Sequence, residues 1–192
     1  MILTTAYFPP IEFFAILAKN SVVFLEARER YQKQSWRNRC RILSANGPLD
    51  LRVPVIHGED LFHTEISAVR VDYSTPWLAQ TEYAIESAYF NSPFFIYYKD
   101  DLFGILDSRP ETLWELNLRL IKFFCDKLGI RPEINETDVY QGPTVEIHPK
   151  KPSAYEGKPY WQVFREKFGF VPGLSVMDLL FNEGPESLCY LK

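Results

Sequence analysis

The N-terminal segment up to Glu26 places the strongest constraint on the fold. Ile2 to Thr5 is expected to form a short strand, which Tyr7-Phe8-Pro9-Pro10 interrupts. A helix is expected over Ile11 to Lys19, and Pro10 is compatible with it because proline is tolerated in a first helical turn. The apolar, β-branched run Ser21 to Glu26 is typical of a buried strand. Strand, short helix and strand in this order predict a βαβ unit with a parallel strand pair.

Further strand signals follow this unit. Trp36 to Leu43 and Leu49 to Ile56 flank Ser44-Ala45-Asn46-Gly47-Pro48, and an Asn-Gly pair between two apolar runs predicts a hairpin. Glu65 to Tyr73 resembles one more strand. We therefore expect antiparallel pairing in addition to the parallel pair.

Helical periodicity is clearest in the second half of the chain. Apolar residues recur every three or four positions from Trp77 to Phe90 and from Pro110 or Glu111 to Leu128, where Gly129 predicts the end of the helix. Residues 130–158 are proline-rich and aperiodic, which predicts a long surface loop, with a short strand at Thr144–His148 as an option. Two short helices are expected after it, over Pro159 to Phe168 and after the capping box that begins at Ser175. The chain therefore predicts an α/β fold: a single domain over residues 1–192, a mixed sheet with a Rossmann-like N-terminal βαβ unit, and flanking helices.

Positive charge is concentrated between Arg28 and Arg41. This segment contains six of the 21 Lys and Arg residues but one acid, Glu29, although the protein carries a net charge of -4. The guanidinium group matches carboxylate and phosphate oxygens two at a time. If Trp36 to Leu43 is a strand, Arg37, Arg39 and Arg41 share one of its faces. Two explanations remain open: an anionic ligand lies among the arginines, or acids from elsewhere in the chain pair with them on a solvated sheet face.

The predicted βαβ unit also gives this segment a location. Ligands favour the carboxyl ends of parallel strands. Tyr7 follows the first predicted strand and the basic segment follows the second, so both are expected at that edge. We therefore predict an anion site formed by the following residues: Tyr7, Tyr31, Gln32, Lys33, Arg37, Asn38, Arg39 and Arg41.

Other functional classes are disfavoured. No apolar run reaches the roughly 20 residues of a membrane span, and the N-terminus lacks signal-peptide features, so a cytoplasmic location is expected. The three cysteines, Cys40, Cys125 and Cys189, are expected as reduced thiols. The three histidines, His57, His63 and His148, share no metal-ligand spacing, so no metal is expected. A pI of about 5.5 argues against nucleic acid as the partner.

A series of short motifs resembles the WbqC-like family of bacterial proteins. The matching residues, in order, are Tyr7-Phe8-Pro9, Tyr31-Gln32-Lys33, Trp36-Arg37-Asn38-Arg39, Val53-Pro54-Val55, Ala88-Tyr89, Ser92-Pro93-Phe94-Phe95, Leu116-Asn117 and Leu174 to Gly184. No single motif is specific, but their order is. The chain departs from the family pattern at Thr5-Ala6, where many relatives carry a Gln, and at Gln80, where relatives often carry a His.

This resemblance implies a cytoplasmic protein associated with the assembly of O-antigen or other surface glycans, and it assigns no catalytic residue or cofactor. The leading hypothesis is an enzyme that acts on a nucleotide-activated sugar or another phosphorylated metabolite. A transferase that moves a group to an amino sugar is one option for this enzyme. In this hypothesis Lys33, Arg37 and Arg39 bind the anionic group, while Tyr7 and Tyr31 line the pocket. The alternative is a non-catalytic accessory protein that docks onto a glycan-biosynthesis enzyme. The substrate, reaction type, catalytic base or nucleophile, and oligomeric state stay open.

Overall fold

A three-stranded parallel sheet contains the N-terminal strands in the computed structural model, which describes residues 1–58, 60–151, 153 and 155–192. Its strands are β1 (Ile2–Thr4), β2 (Val22–Glu26) and β5 (Glu133–Glu136), in the order β1-β2-β5. Helix α1 (Ile11–Lys19) connects β1 to β2. The predicted βαβ unit with its parallel pair is therefore confirmed, whereas its likeness to a Rossmann unit stays a prediction.

The predicted hairpin forms a separate sheet. Strands β3 (Arg39–Ser44) and β4 (Gly47–Arg52) pair antiparallel around a two-residue turn, and Ser44 faces Gly47 at its end. Gly47 has a φ of 103°, which glycine adopts without steric cost. The α/β class is confirmed, but parallel and antiparallel pairs occupy two sheets instead of one mixed sheet.

Two predicted strand segments adopt other conformations. Trp36–Asn38 forms a 3₁₀ turn, so β3 starts only at Arg39. Within the predicted strand from Glu65 to Tyr73, Ile66–Ala68 is also a 3₁₀ turn, and only isolated bridges pair its flanks with other segments. In both segments the backbone bonds to loops instead of a continuous neighbouring strand; for example, Ile66 N donates to Glu29 O at 2.8 Å.

Three helices occupy the middle of the chain: α2 (Trp77–Tyr89), α3 (Phe95–Asp107) and α4 (Leu113–Leu128). The periodicity predicted α2 and α4 but not α3. The Thr112 side chain caps α4 by accepting from Glu115 N at 3.1 Å. Gly129 ends α4 in the left-handed conformation, with a φ of 70°. The predicted end of the helix is therefore confirmed, whereas the Thr112 cap starts α4 at Leu113 and not at Pro110 or Glu111.

The segment predicted as a loop over residues 130–158 contains β5, which pairs with β2 through contacts such as Val23 opposite Ile134. The optional strand at Thr144–His148 is wrong. Thr144 instead contacts the start of β1, where its N–H donates to Ile2 O at 2.9 Å.

Short helices close the chain: α5 (Arg165–Phe168), α6 (Val176–Glu183) and α7 (Leu188–Leu191). The first covers only the end of the helix predicted from Pro159. The predicted cap of α6 is confirmed, because the Ser175 side chain accepts from Met177 N at 3.3 Å.

One cluster of buried apolar side chains extends from Leu3 to Leu191, consistent with the single domain predicted over 1–192. Its aromatic members pack edge to face; the Phe124 ring, for example, lies 5.7 Å from that of Phe14. The three cysteines are free thiols, as predicted. Within the described residues, no helix combines the length and apolarity needed to cross a bilayer.

Candidate functional site

The carboxyl end of β2 is organised around the buried carboxylate of Glu26. This carboxylate accepts hydrogen bonds from Thr137 Oγ1 at 2.6 Å, from the backbone N–H groups of Gln141 and Gly142, each at 2.9 Å, and from Arg28 N at 3.0 Å. Burial raises the pKa of Glu26, but the Thr137 hydroxyl and the backbone donors outweigh it and lower the pKa below its ordinary value. Glu26 therefore attaches the loop after β5 to the carboxyl edge of the parallel sheet, which is the edge where ligands usually bind.

Arg37 and Glu29 form a buried ion pair beside this edge. Arg37 Nε donates to Glu29 Oε1 at 2.7 Å and Nη2 bonds to Oε2, and the side chains are only 5% and 4% exposed. Asn117 Nδ2 donates to the Arg37 backbone oxygen at 2.8 Å. Burial raises the pKa of Glu29, and the Arg37 guanidinium opposes this shift. Arg37 is therefore an internal charge whose donors are engaged within the protein.

Asp50 on β4 pairs with the other two arginines. Arg41 donates from Nε to Oδ1 at 2.7 Å and from Nη2 to Oδ2 at 3.3 Å, while Arg39 Nη1 lies 3.8 Å from Oδ2. Arg39 and Arg41 share a face of β3, but Arg37 precedes the strand. Each of these three arginines therefore has a carboxylate partner within the chain. Arg37 pairs with Glu29 of the basic segment itself, whereas Arg39 and Arg41 pair with an acid from outside that segment.

The two predicted pocket tyrosines are buried. Tyr7 is fully buried in the core, with its ring 4.5 Å from that of Phe8. Burial raises the pKa of Tyr7 well above its ordinary value. The Tyr31 ring packs against Phe62 at 6.5 Å. Burial also raises the pKa of Tyr31, although Arg39 and Arg37 oppose the shift. The Tyr7 side chain therefore fills the core beneath the sheet edge, and its role in a pocket wall stays a prediction.

The remaining predicted residues divide between structural and exposed positions. Asn38 Nδ2 donates to Val53 O at 3.0 Å, which holds the start of the hairpin. Gln32 and Lys33 are exposed, and Lys33 Nζ lies 4.3 Å from the centre of the Phe62 ring. Gln32 is the predicted residue that lines the large cleft at this edge.

That cleft has a volume of about 590 Å³ and is formed by residues that follow β2, a 3₁₀ segment, and the loop after β5. Its lining residues are Arg28, Glu29, Arg30, Gln32, His63, Glu65 and Tyr140. Arg28 pairs with Glu65 at 2.9 Å. Arg30 is exposed, and no carboxylate of the described residues pairs with it. Tyr140 is the single aromatic residue of this lining and is 64% exposed.

Sequence reasoning identified the segment but not all of the residues in the cleft. Arg28 and Arg30 lie in the basic segment, yet alternation along the hairpin drew attention to Arg37, Arg39 and Arg41 instead. Tyr140 carried no signal, because β5, which places its loop, was not predicted. Trp36 and Arg41 line a different, smaller cleft of about 150 Å³.

The cysteine and histidine side chains occupy contrasting environments. Burial raises the pKa of Cys40 well above its ordinary value, which disfavours the reactive thiolate. The acidic loop between His57 and His63 includes Glu59, which lies outside the described residues. His63 itself lines the large cleft. Across the part of the chain that the structure describes, no three His, Cys, Asp or Glu side chains are grouped as metal ligands.

Comparisons with known proteins agree with the resemblance seen in the sequence. A model of the WbqC-like protein family matches residues 5–147. The chain is 28% identical to "Uncharacterized protein Rv1507c" of Mycobacterium tuberculosis (strain ATCC 25618 / H37Rv), over 100% of this chain and 96% of that protein. No solved structure gives a significant match.

Proposed function

The chain belongs to the WbqC-like protein family, and from this premise we propose that it binds a phosphorylated metabolite of surface-polysaccharide (O-antigen-type) biosynthesis in the cytoplasm. The binding site in this proposal is the 590 Å³ cleft at the carboxyl end of β2. This cleft is the observation that carries the proposal.

Position and size both support a ligand site. Parallel sheets bind ligands outside the carboxyl ends of their strands. The volume of the cleft lies within the roughly 300–1,000 Å³ range of small-molecule sites. A sugar phosphate or a nucleotide-sugar is compatible with a cleft of this size.

The charges of the lining support an anionic group on the ligand. Arg30 has an exposed guanidinium that no described carboxylate neutralises, and Arg28 lies in the same lining. The acid Glu29 is already paired with Arg37 behind the cleft wall. Bidentate guanidinium donors are well suited to phosphate. These features transfer the anion-binding role from Arg37 and Arg39 to Arg30, with Arg28, which is paired with Glu65 at an exposed position, beside it.

Glu65 brings a carboxylate into the lining, where it is paired with Arg28 at 2.9 Å and is partly exposed. A ligand that carries both a phosphate and an amino group would complement this mixed lining. The lining therefore supports a nucleotide-activated amino sugar, with group transfer to that sugar as the proposed reaction. His63 adds an imidazole to the same lining.

Isothermal titration calorimetry of the whole protein with nucleotide-sugars and sugar phosphates tests this proposal. We expect Arg30→Ala to weaken binding about tenfold or more, because a charge-assisted hydrogen bond is lost. Arg52→Ala is the matched control, since Arg52 is an exposed arginine outside the cleft lining. The proposal fails if none of these ligands binds the wild-type protein, or if the two variants lose the same affinity.

Exposed aromatic residues on α2 and α3 favour one second candidate, a non-catalytic accessory protein. Four large side chains there are 63–75% exposed: Tyr83, Phe90, Ile96 and Tyr97. A contiguous apolar surface is typical of protein-interaction sites. In this case Phe90→Ser with Tyr97→Ser should abolish binding to a purified glycan-biosynthesis enzyme while nucleotide-sugar binding persists. Retention of enzyme binding by this double variant would exclude the surface.

A further inference from the structure

Tyr140 stands out in the large cleft because an exposed aromatic ring is carried by a firmly attached loop. Its side chain is 64% exposed, and the other lining residues are all charged or polar. Exposed rings on unattached loops lose conformational freedom when a ligand orders them. The structure around Tyr140 reduces that cost.

Glu26 supplies the attachment. Its carboxylate accepts from the N–H groups of Gln141 and Gly142, each at 2.9 Å, so the two residues after Tyr140 are tied directly to the end of β2. Thr137 ties the other side of the loop, because its hydroxyl donates to Glu26 at 2.6 Å and accepts from Ala27 N at 3.1 Å. Both ends of the segment that carries Tyr140 are therefore fixed to the sheet edge.

Gly142 contributes to the placement of the ring. Its φ of 76° is a conformation that glycine adopts readily, and a Cβ at this position would lie 3.6 Å from the Tyr140 hydroxyl. The tyrosine thus extends alongside the Gly142 backbone.

We propose that Tyr140 is a stacking platform for the base of a nucleotide, so that the ligand of the cleft is a nucleoside diphosphate derivative and not a simple sugar phosphate. The inference rests on the proposed function, since it assigns the phosphates to Arg28 and Arg30 in the same cleft. An aromatic face stacks on any base, and removing such a contact typically costs about 1–3 kcal/mol per base. Glu26 is a positioning residue in this arrangement, because it acts on the ligand only through the loop.

The experiment compares two probes, uridine diphosphate and glucose 1-phosphate, by calorimetry on the whole protein. Tyr140→Ala should weaken binding of uridine diphosphate about tenfold, within the range of stacking energies, and leave glucose 1-phosphate within about twofold, because that probe has no base. Tyr140→Phe should retain the nucleotide affinity within about twofold, since stacking requires the ring and not the hydroxyl. Tyr97→Ala, an equally exposed tyrosine on α3, is the matched control and should change neither affinity.

Glu26→Gln provides a second, independent test, because it weakens the attachment of the loop and leaves the Tyr140 ring in place. It should weaken uridine diphosphate binding more than glucose 1-phosphate binding and accelerate amide hydrogen exchange at Gln141 and Gly142, whose acceptor it alters.

Equal losses for both probes in Tyr140→Ala, or a loss in Tyr140→Phe as large as in Tyr140→Ala, would overturn the stacking role. If neither probe binds the wild-type protein, or if both bind and Arg30→Ala leaves both affinities unchanged, the proposed function itself fails. If both probes bind, depend on Arg30 and ignore Tyr140, only the present inference fails.

Discussion

Replacement of Arg37 with methionine should destabilise the protein strongly, because it leaves the Glu29 carboxylate buried without its counter-charge. The guanidinium currently supplies two hydrogen bonds to Glu29, and both side chains are at least 95% buried. Removal of one member of a buried pair typically costs about 3–5 kcal/mol. For a protein of 192 residues this corresponds to a fall of about 6–20 °C in melting temperature.

The pH dependence of the loss provides an internal check. Burial raises the pKa of Glu29 even with Arg37 present, so removal of the guanidinium should raise it further. A carboxyl group with a raised pKa in the folded state stabilises the fold fully below its unfolded pKa, and this contribution is lost as the pH rises through the folded value. The deficit of Arg37→Met should therefore shrink when the pH is lowered from about 8 to about 5.

Urea denaturation at several pH values measures this effect, with Arg119→Met as the matched control. Arg119 pairs with Glu115 on the exposed face of α4, and both side chains are more than 40% exposed. Such a pair contributes only about 0.3–0.5 kcal/mol. A cost below about 1 kcal/mol for Arg37→Met, or a deficit that grows toward acid pH, would refute the argument from burial.

Three further changes test other parts of the structure. Burial raises the pKa of Asp178 to about 6. The contribution of Asp178 to stability is therefore fully present below its unfolded pKa and is lost as the pH rises through about 6. Asp178→Asn should remove this pH dependence of stability, as measured by urea denaturation at several pH values. Asn117→Ala should cost about 1–3 kcal/mol, because the backbone oxygen of Arg37 loses a buried donor, and a melting temperature within experimental error of wild type would contradict this. Gly184→Ala should destabilise, since a Cβ there would lie 2.5 Å from the Phe94 ring at a φ of 53°; Phe94→Ala should partly restore the melting temperature if this clash is the cause.

Elements with strong local signals were predictable from the sequence. Pro10, the Asn46-Gly47 turn and Gly129 each act within a few residues of the element that they delimit. These signals are local, so no knowledge of the tertiary structure is required to read them.

Two elements were missed because their stabilisation is not local. Helix α3 buries only Phe95, Leu102 and Leu106, so its apolar stripe is narrow. Strand β5 reads Glu-Ile-Asn-Glu and lies at the sheet edge, where pairing with β2 determines its conformation. In both cases the decisive contacts come from distant parts of the chain.

The candidate site follows the same rule. The excess of cations between Arg28 and Arg41 correctly marked a segment at the carboxyl end of a parallel strand. Whether an arginine is already paired with a carboxylate depends on acids that the sequence pattern could not assign to it, such as Asp50 on the neighbouring strand. Alternation identifies which side chains share a face, but the partner across the sheet decides which cations remain available to a ligand.

The buried pair of Arg37 and Glu29 therefore requires an explanation other than stability. Replacement of both members of such a pair by apolar residues is often neutral or stabilising, because the desolvation cost disappears with the charges. Glu29 nevertheless lies in the cleft lining, between Arg28 and Arg30. A bidentate pair fixes the orientation of the chain at this point more narrowly than two apolar side chains do. We therefore expect that replacement of both Arg37 and Glu29 by methionine preserves stability but impairs binding in the cleft. The reason is that the buried pair would hold the neighbouring Arg28 and Arg30 in position.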